Sequence, residues 1–243
     1  MGSLSDQIAV VTGAGSGIGK AVAQVLGAHG ATVVLVGRTR AKLEATAGSF
    51  IGNGARALVI TADLGSDEQV ANLNRELQRR FGRVDLLVLC AGEIAHGAVE
   101  SAPIEVFDSL YRANVRAKFH LTQSLLPMLR NSKCSQIVFV NSSAGLSARA
   151  NGGQYSATQH ALKALADALR AEVNGDGIRV LSVYPGRVAT PCQESIYKKQ
   201  GTQYRPELLL QPEDVAAVIL NAVTLPRTAE VTDISIRPLC KSY

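Results

Sequence analysis

The sequence has no tryptophan, and aromatic residues make up only 5% of its 243 positions. With 47% of residues hydrophobic, a chain of this length can still bury a large core, but that core must be aliphatic. Cysteine is sparse as well. Cys90, Cys134, Cys192 and Cys240 lie far apart, a spacing that fits neither a zinc site nor a small disulfide-stapled scaffold, so free thiols and no metal are expected. No apolar run approaches the ~20 residues needed to span a bilayer. The opening MGSLSDQIAVV lacks a basic region, a long apolar stretch and a cleavage site, so a cytoplasmic protein without membrane attachment is expected. The 22 glycines and eight prolines are scattered, leaving no linker, repeat or low-complexity tract, and residues 1–243 read as a single domain. A charge of +5 arises from 25 basic and 20 acidic residues that interleave. Without a clustered cationic face, nucleic acid is excluded as a partner and an anionic small molecule is favoured.

What the chain does have is alternation. Short β-branched runs near Ile8–Thr12, Thr32–Val36, Ala57–Thr61, Leu86–Cys90, Gln136–Asn141, Arg179–Val183 and Val231–Ile236 read as seven strands. Between them, amphipathic stretches near Gly19–His29, Arg40–Phe50, Asp67–Phe81, Ile104–Leu129, Tyr155–Val173 and Pro212–Val223 read as six helices. That order is the α/β pattern of βαβ units feeding a mostly parallel sheet with helices on both faces. In an open sheet of this kind, ligands bind beyond the carboxyl ends of the strands, where strand order reverses.

The first strand runs into Thr12-Gly13-Ala14-Gly15-Ser16-Gly17-Ile18-Gly19 and then into a helix. Glycines in such a turn let backbone N–H groups approach a pyrophosphate at the helix N-terminus, which points to dinucleotide binding. Further along come Ala91-Gly92 after the fourth strand, Asn114, Ser142, Tyr155-Ser-Ala-Thr and Pro185-Gly186. Their order and spacing resemble the classical short-chain dehydrogenase/reductase family across nearly the whole chain. The resemblance implies a doubly wound seven-stranded Rossmann sheet of order 3-2-1-4-5-6-7, assembled into dimers or tetramers through the two long helices at Ile104–Leu129 and Tyr155–Val173.

Cofactor choice is read at the end of the second strand, where a carboxylate would select NAD(H). Here Gly37-Arg38-Thr39 stands, and a guanidinium with Thr39, and with Arg40 beyond it, suits the extra phosphate of NADP(H). By resemblance, Asp63 and Leu64 contact adenine, Ala91 and Gly92 make room for ribose, and Pro185, Gly186, Val188 and Thr190 hold the nicotinamide carboxamide. The family usually has asparagine where this chain has Cys90.

Carbonyl reduction needs a hydride, a proton donor and a group that orients the carbonyl oxygen. Tyr155 matches the family's donor and Ser142 its orienting hydroxyl, with Ser143 the alternative; Asn114 resembles the residue that kinks the long helix and carries a relay water. The family's lysine, four residues after the tyrosine, is replaced by Gln159. Glutamine can hold the ribose but carries no charge to favour phenolate. Lys163 lies a further turn on, roughly 12 Å from Tyr155 along the axis at 1.5 Å per residue. Arg149 and Arg187 are the arginines nearest the motifs, and His96 falls in a loop that could line the substrate pocket. The residues therefore imply NADPH-dependent reduction of a ketone or oxo group, with alcohol oxidation displaced to alkaline pH. Two other classes stay open: a cofactor-binding protein with little turnover, acting as sensor or oligomer partner, and a non-redox tailoring enzyme. The stretch from Thr190 to Pro206 is expected to form a short lid over an open pocket.

Overall fold

The computed structural model describes residues 3–50 and 56–239, so Cys240 lies outside the described residues. Seven strands, β1 (Ile8–Thr12), β2 (Thr32–Gly37), β3 (Arg56–Thr61), β4 (Leu86–Leu89), β5 (Gln136–Val140), β6 (Arg179–Pro185) and β7 (Asp233–Ile236), form one sheet in the order β3-β2-β1-β4-β5-β6-β7. Every pairing is parallel. β1, β4, β5 and β6 are buried along their whole length, which is why they read as unbroken apolar runs rather than alternating ones.

Helices cover both faces. On one face, α1 (Gly17–Ala28), α2 (Arg40–Gly48) and α8 (Pro212–Val223) bring Val22, Leu26, Leu43, Val215 and Ile219 onto Val11, Val33 and Leu35. On the other, α3 (Asp67–Arg80), α5 (Ala117–Arg130) and α6 (Gly153–Val173) bring Leu73, Leu77, Leu121, Leu125 and Leu162 onto Val10, Leu87 and Ile137. Each stripe repeats at three- and four-residue spacing, the period that puts side chains on one side of a helix. Ala9 faces Leu86 of β4 and Val33 of β2, so β1 sits at the centre, and the chain winds outward in opposite directions from either side of it. The crevice at that reversal is where the strands' carboxyl ends leave room for a ligand.

The expected strands and helices are all present, with ends shifted by one or two residues: β4 stops at Leu89 instead of Cys90, and β6 runs on to Pro185. Two differences are larger. The segment Ile104–Leu129 is not one helix but α4 (Ile104–Tyr111), a π-helical turn at Arg112–Arg116, and α5. The stretch after Thr190 contains a ten-residue helix, α7 (Pro191–Gln200), for which Thr190 is the N-cap. Pro191 at the first helical position and the Thr190 hydroxyl accepting from the Gln193 N–H are ordinary helix-start chemistry that a search for long apolar periodicity passes over. Among the described residues no helix is long and apolar enough to cross a membrane.

Candidate active site

A cleft of about 1300 Å³ opens along the carboxyl edge of the sheet. Gly13, Gly15, Ser16, Gly17, Ile18 and Gly19 line one end, and Ser142, Tyr155 and Gln159 the other. Arg38, Thr39, Asp63, Leu64, Cys90, Ala91, Gly92, Asn114, Pro185, Gly186, Val188 and Thr190 lie along it, so the structure brings every expected site residue to one surface.

At the glycine end, Gly13 has φ of 67°, in the left-handed region that glycine tolerates and other residues avoid. Gly19 is required for a different reason: a Cβ there would lie 2.4 Å from the Gly13 carbonyl oxygen. These glycines let α1 start close against the turn. Ser16, its N-cap, makes no side-chain capping hydrogen bond, which leaves the first N–H groups of α1 directed at the cleft. The Thr12 hydroxyl, fully buried, accepts from the Ala91 N–H at 3.0 Å and ties β1 to the segment that follows β4. This cradle fits the pyrophosphate of a dinucleotide. Lining charge agrees with it: seven lysine and arginine side chains face two carboxylates, those of Asp63 and Glu93.

At the β2 end, Arg38 pairs with Glu93 at 3.3 Å while remaining largely exposed. Thr39 caps α2 without a side-chain hydrogen bond. Arg40 is not part of this group: it turns to Glu44 at 2.7 Å along its own helix, and Lys42 lines the cleft instead, its Cβ stem close to Gly15. Asp63 accepts the Gly65 N–H at 2.9 Å, a local turn that presents Leu64, while Ser66 serves as the cap of α3.

The π-helical turn gives Asn114 its position. One extra residue in the turn displaces the helix wall, and Asn114 points inward, 1% exposed. Its Oδ1 accepts from the Glu93 N–H at 2.8 Å, and its Nδ2 donates to the Glu93 carbonyl at 2.8 Å and to the Thr158 hydroxyl at 3.1 Å. Asn114 thus links the loop after β4 to α6. On α6, Thr158 donates to the Tyr155 carbonyl at 2.7 Å and accepts from Gln159 Nε2 at 3.4 Å. Asn141, at the end of β5, donates to the Gln159 carbonyl at 3.1 Å and accepts the Ser142 N–H at 2.7 Å. These bonds hold Ser142 and Tyr155 facing one another across the cleft.

Burial pushes the Tyr155 phenol up to about 12, opposed by a hydrogen bond from Ser142 and slightly reinforced by Cys192. Ser143, by contrast, is exposed at the start of a one-turn helix, and Ser142 is the serine whose hydroxyl acts on the phenol. Lys163 is drawn away to Asp167 at 2.5 Å. Arg187 donates to the Tyr197 hydroxyl at 3.0 Å and stacks over that ring at 5.6 Å, which joins it to α7. Arg149 and His96 are exposed on the cleft rim.

A model of the short chain dehydrogenases matches residues 7–201, more than three quarters of the chain. The chain belongs to the short chain dehydrogenase family. An uncharacterized oxidoreductase of Staphylococcus aureus is 31% identical over 238 residues, covering 97% of this dehydrogenase and 99% of its relative. Among solved structures, a metagenomic short-chain oxidoreductase in complex with NADP matches with a TM-score of 0.84 at 29% identity, over 98% of this chain and 100% of the other. An alcohol dehydrogenase from the archaeon Thermococcus sibiricus, complexed with 5-hydroxy-NADP, matches with a TM-score of 0.87 at 25% identity, over 98% and 99%.

Lys42, Glu93 and Lys118 of this dehydrogenase's cleft were missed in sequence reasoning. Lys118, on α5 and only 3% exposed, lines the cleft and donates to the Val140 carbonyl at 2.9 Å. Its signal was available: with Ala117, Leu121 and Leu125 it falls on the buried stripe of the helix, where a lone lysine needs a reason. Burial drives its ammonium down to about 8, offset in part by Cys90. Burial likewise lifts the Cys90 thiol to about 12 against the pull of Lys118.

Proposed function

We propose that this short chain dehydrogenase uses NADPH to reduce a ketone or oxo group on a small-molecule or acyl-type substrate. The observation that carries this reading is the juxtaposition of Ser142 and Tyr155, whose phenol feels the Ser142 hydroxyl, at the end of a cleft whose other end is a pyrophosphate cradle. NADPH, when bound, supplies a hydride to the carbonyl carbon. Arg38, Thr39 and Lys42 would hold its extra phosphate, the α1 N-terminus its pyrophosphate, Gln159 its nicotinamide ribose, and Val188 and Thr190 the carboxamide.

The protein's own part is orientation and proton transfer. Ser142 donates a hydrogen bond to the substrate oxygen and fixes it beside Tyr155. Tyr155, protonated at neutral pH because its phenol is pushed up to about 12, gives its proton to that oxygen as negative charge develops there. Asn114, in the π-helical turn, holds the cleft wall at Glu93 and ties it to Thr158 on the helix that carries Tyr155. NADP bound in the metagenomic structure, and its 5-hydroxy derivative in the archaeal alcohol dehydrogenase, support the choice of cofactor. Exposed Tyr111 and Phe119, on the segment the family uses for assembly, support a homodimer or homotetramer.

The test is calorimetric titration with NADPH and NADH, followed by turnover on ketones and oxoacyl thioesters. Tight NADPH binding is expected, and Tyr155→Phe should lower kcat by about 100-fold or more with NADPH affinity retained. Absence of binding to either dinucleotide would overturn the reading. Gln159 favours one second reading, a cofactor-binding protein with little turnover; NADPH binding without any substrate turnover would select it.

A further inference from the structure

We propose that the ketone reduced by this protein carries an anionic group, a carboxylate or a phosphate, held by Arg187 and Arg237 at the end of the cleft that contains Ser142. This rests on the reductase reading above and names the substrate class for it. Charge is not spread evenly along the cleft. Its two carboxylates, Asp63 and Glu93, follow β3 and β4, and Glu93 is taken up by Arg38. Arg149, Arg187 and Arg237 line the half that holds Ser142 and Tyr155, and no aspartate or glutamate among the described residues lines it with them. Elsewhere the protein neutralises its arginines: Arg40 pairs with Glu44, Arg116 with Asp67 and Arg130 with Asp176. Arg149 and Arg237 make no side-chain hydrogen bond or ion pair with any described residue.

Sheet register places the pair. β5 and β6 match Val140 with Val183, and the Asn141 N–H continues the ladder to the Val183 carbonyl at 2.8 Å. β6 and β7 match Pro185 with Ile236, and the Gly186 N–H reaches the Ile236 carbonyl at 2.8 Å. Counting on from these partners, Ser142, Pro185 and Ile236 stand in one row along the carboxyl edge, with Arg187 and Arg237 just beyond it. Neighbouring strands lie about 4.8 Å apart, so the backbone from Ser142 across to Arg237 spans about 10 Å. Gly186 packs against Arg237: a Cβ there would lie 3.4 Å from the Arg237 Cβ. Arg187 is held by α7, donating to the Tyr197 hydroxyl at 3.0 Å and lying 5.6 Å over that ring, while Tyr204 packs edge-on against Tyr197 at 5.6 Å. Those tyrosines orient the guanidinium and take none of its charge. Arginines on neighbouring strand ends repel one another, and an anion between them turns that repulsion into attraction. Their forked donors suit the paired oxygens of a carboxylate or phosphate on the same molecule whose carbonyl Ser142 orients. Arg149 adds charge from the loop leading into α6, six residues before Tyr155.

The test compares turnover with NADPH for two matched pairs of ketones, 4-oxopentanoate with its methyl ester, and dihydroxyacetone phosphate with dihydroxyacetone. At low ionic strength the charged member of at least one pair is expected to have a kcat/KM about 10-fold or more above its neutral partner, and added salt should shrink the preference. The pair that shows it separates carboxylate from phosphate. In the Arg187→Gln/Arg237→Gln double variant the ratio should fall to about 3 or below. Equal rates within both pairs in the unaltered protein overturn the proposal, whether or not the variant folds, and so does a ratio that survives loss of both arginines. If neither pair turns over, calorimetry of the NADP-loaded protein with the same four compounds decides: charged and neutral members that bind alike, or not at all, overturn it equally. A protein that binds NADPH and reduces charged and neutral ketones alike keeps the reductase reading and loses the anion site. A protein that binds no dinucleotide loses the reductase reading, and the same titration of the bare chain still reads the arginines.

Discussion

The Arg38 guanidinium lies 3.3 Å from the Glu93 carboxylate, so the side chain proposed to recognise a cofactor phosphate is already engaged by an anion of its own protein. Glu93 is in turn held through its backbone by Asn114, which fixes the carboxylate at the cleft mouth. An incoming phosphate must displace it. The pair is mostly solvent-exposed, and exposed ion pairs are worth about 1 kcal/mol at most. Glu93→Gln should therefore tighten NADPH binding by about 2- to 5-fold, with little change for NADH, which has no phosphate to gain. Calorimetry at low and high salt checks this; weaker NADPH binding in the variant would show that Glu93 helps to orient Arg38 instead of competing for it.

Gly19 tests the cradle more severely. A methyl group there would sit 2.4 Å from the Gly13 carbonyl oxygen, which belongs to backbone that cannot swing aside as a flexible side chain could. Gly19→Ala should push the turn away from α1 and cost about 10-fold or more in dinucleotide affinity, because backbone N–H groups lose their aim at the pyrophosphate. Gly48, where an added Cβ meets nothing within 4 Å, is the control: Gly48→Ala should leave affinity unchanged and stabilise α2 slightly. Equal affinity in both variants would contradict the placement of the pyrophosphate.

Sequence pattern was most informative where burial was uniform. Val10, Val88 and Val138 lie in strands buried on both faces, so their apolar runs marked strand and topology together. Motif residues such as Thr12, Asn114 and Ser142 were legible because each sits at a strand end or a helix irregularity. What stayed hidden depended on partners distant in sequence. Arg40 and Lys42 are equally basic in the sequence, and only Glu44, one turn along α2, decides that Arg40 turns away. The π-helical turn leaves no composition signature, since Asn114 is held by Glu93 and Thr158, 21 and 44 residues away. Lys118 was passed over because a single lysine in an amphipathic stretch is ordinarily solvated, and its acceptor, Val140, belongs to another element.

Asp85 shows how one buried carboxylate organises the opposite edge of the sheet. It is 3% exposed and accepts from the Ile8 N–H at 2.7 Å, from the Ser132 hydroxyl at 2.6 Å and from Arg83 at 3.2 Å. Asp85→Ala would strand the Ile8 N–H at the start of the central strand, and an unsatisfied buried donor costs about 1–3 kcal/mol. A melting temperature lower by roughly 5–10 °C is expected for a chain of this size, with NADPH affinity at the far end of the strands retained. If calorimetry found the melting point unmoved, water would have to reach Ile8, and the site would not be the closed network its geometry describes.

Lys118 makes the stability of the protein depend on pH in a direction opposite to that of the usual surface lysine. Its ammonium, ordinarily near 10.5, is driven down to about 8 in the fold by burial. Between those two values the unfolded chain binds the proton and the folded one has released it, so stability rises with pH across that window. Below about 8 the whole cost is present, on the order of 3 kcal/mol for a shift of this size. Cys90 and Tyr155 act the other way, above about 9 and about 10, where the raised thiol and phenol keep protons that the unfolded chain loses. Urea unfolding should accordingly show stability increasing from pH 8 toward 9 and levelling off beyond it. Lys118→Met should flatten that rise and be the more stable protein at pH 7. A wild-type profile without the rise would mean that the ammonium is solvated.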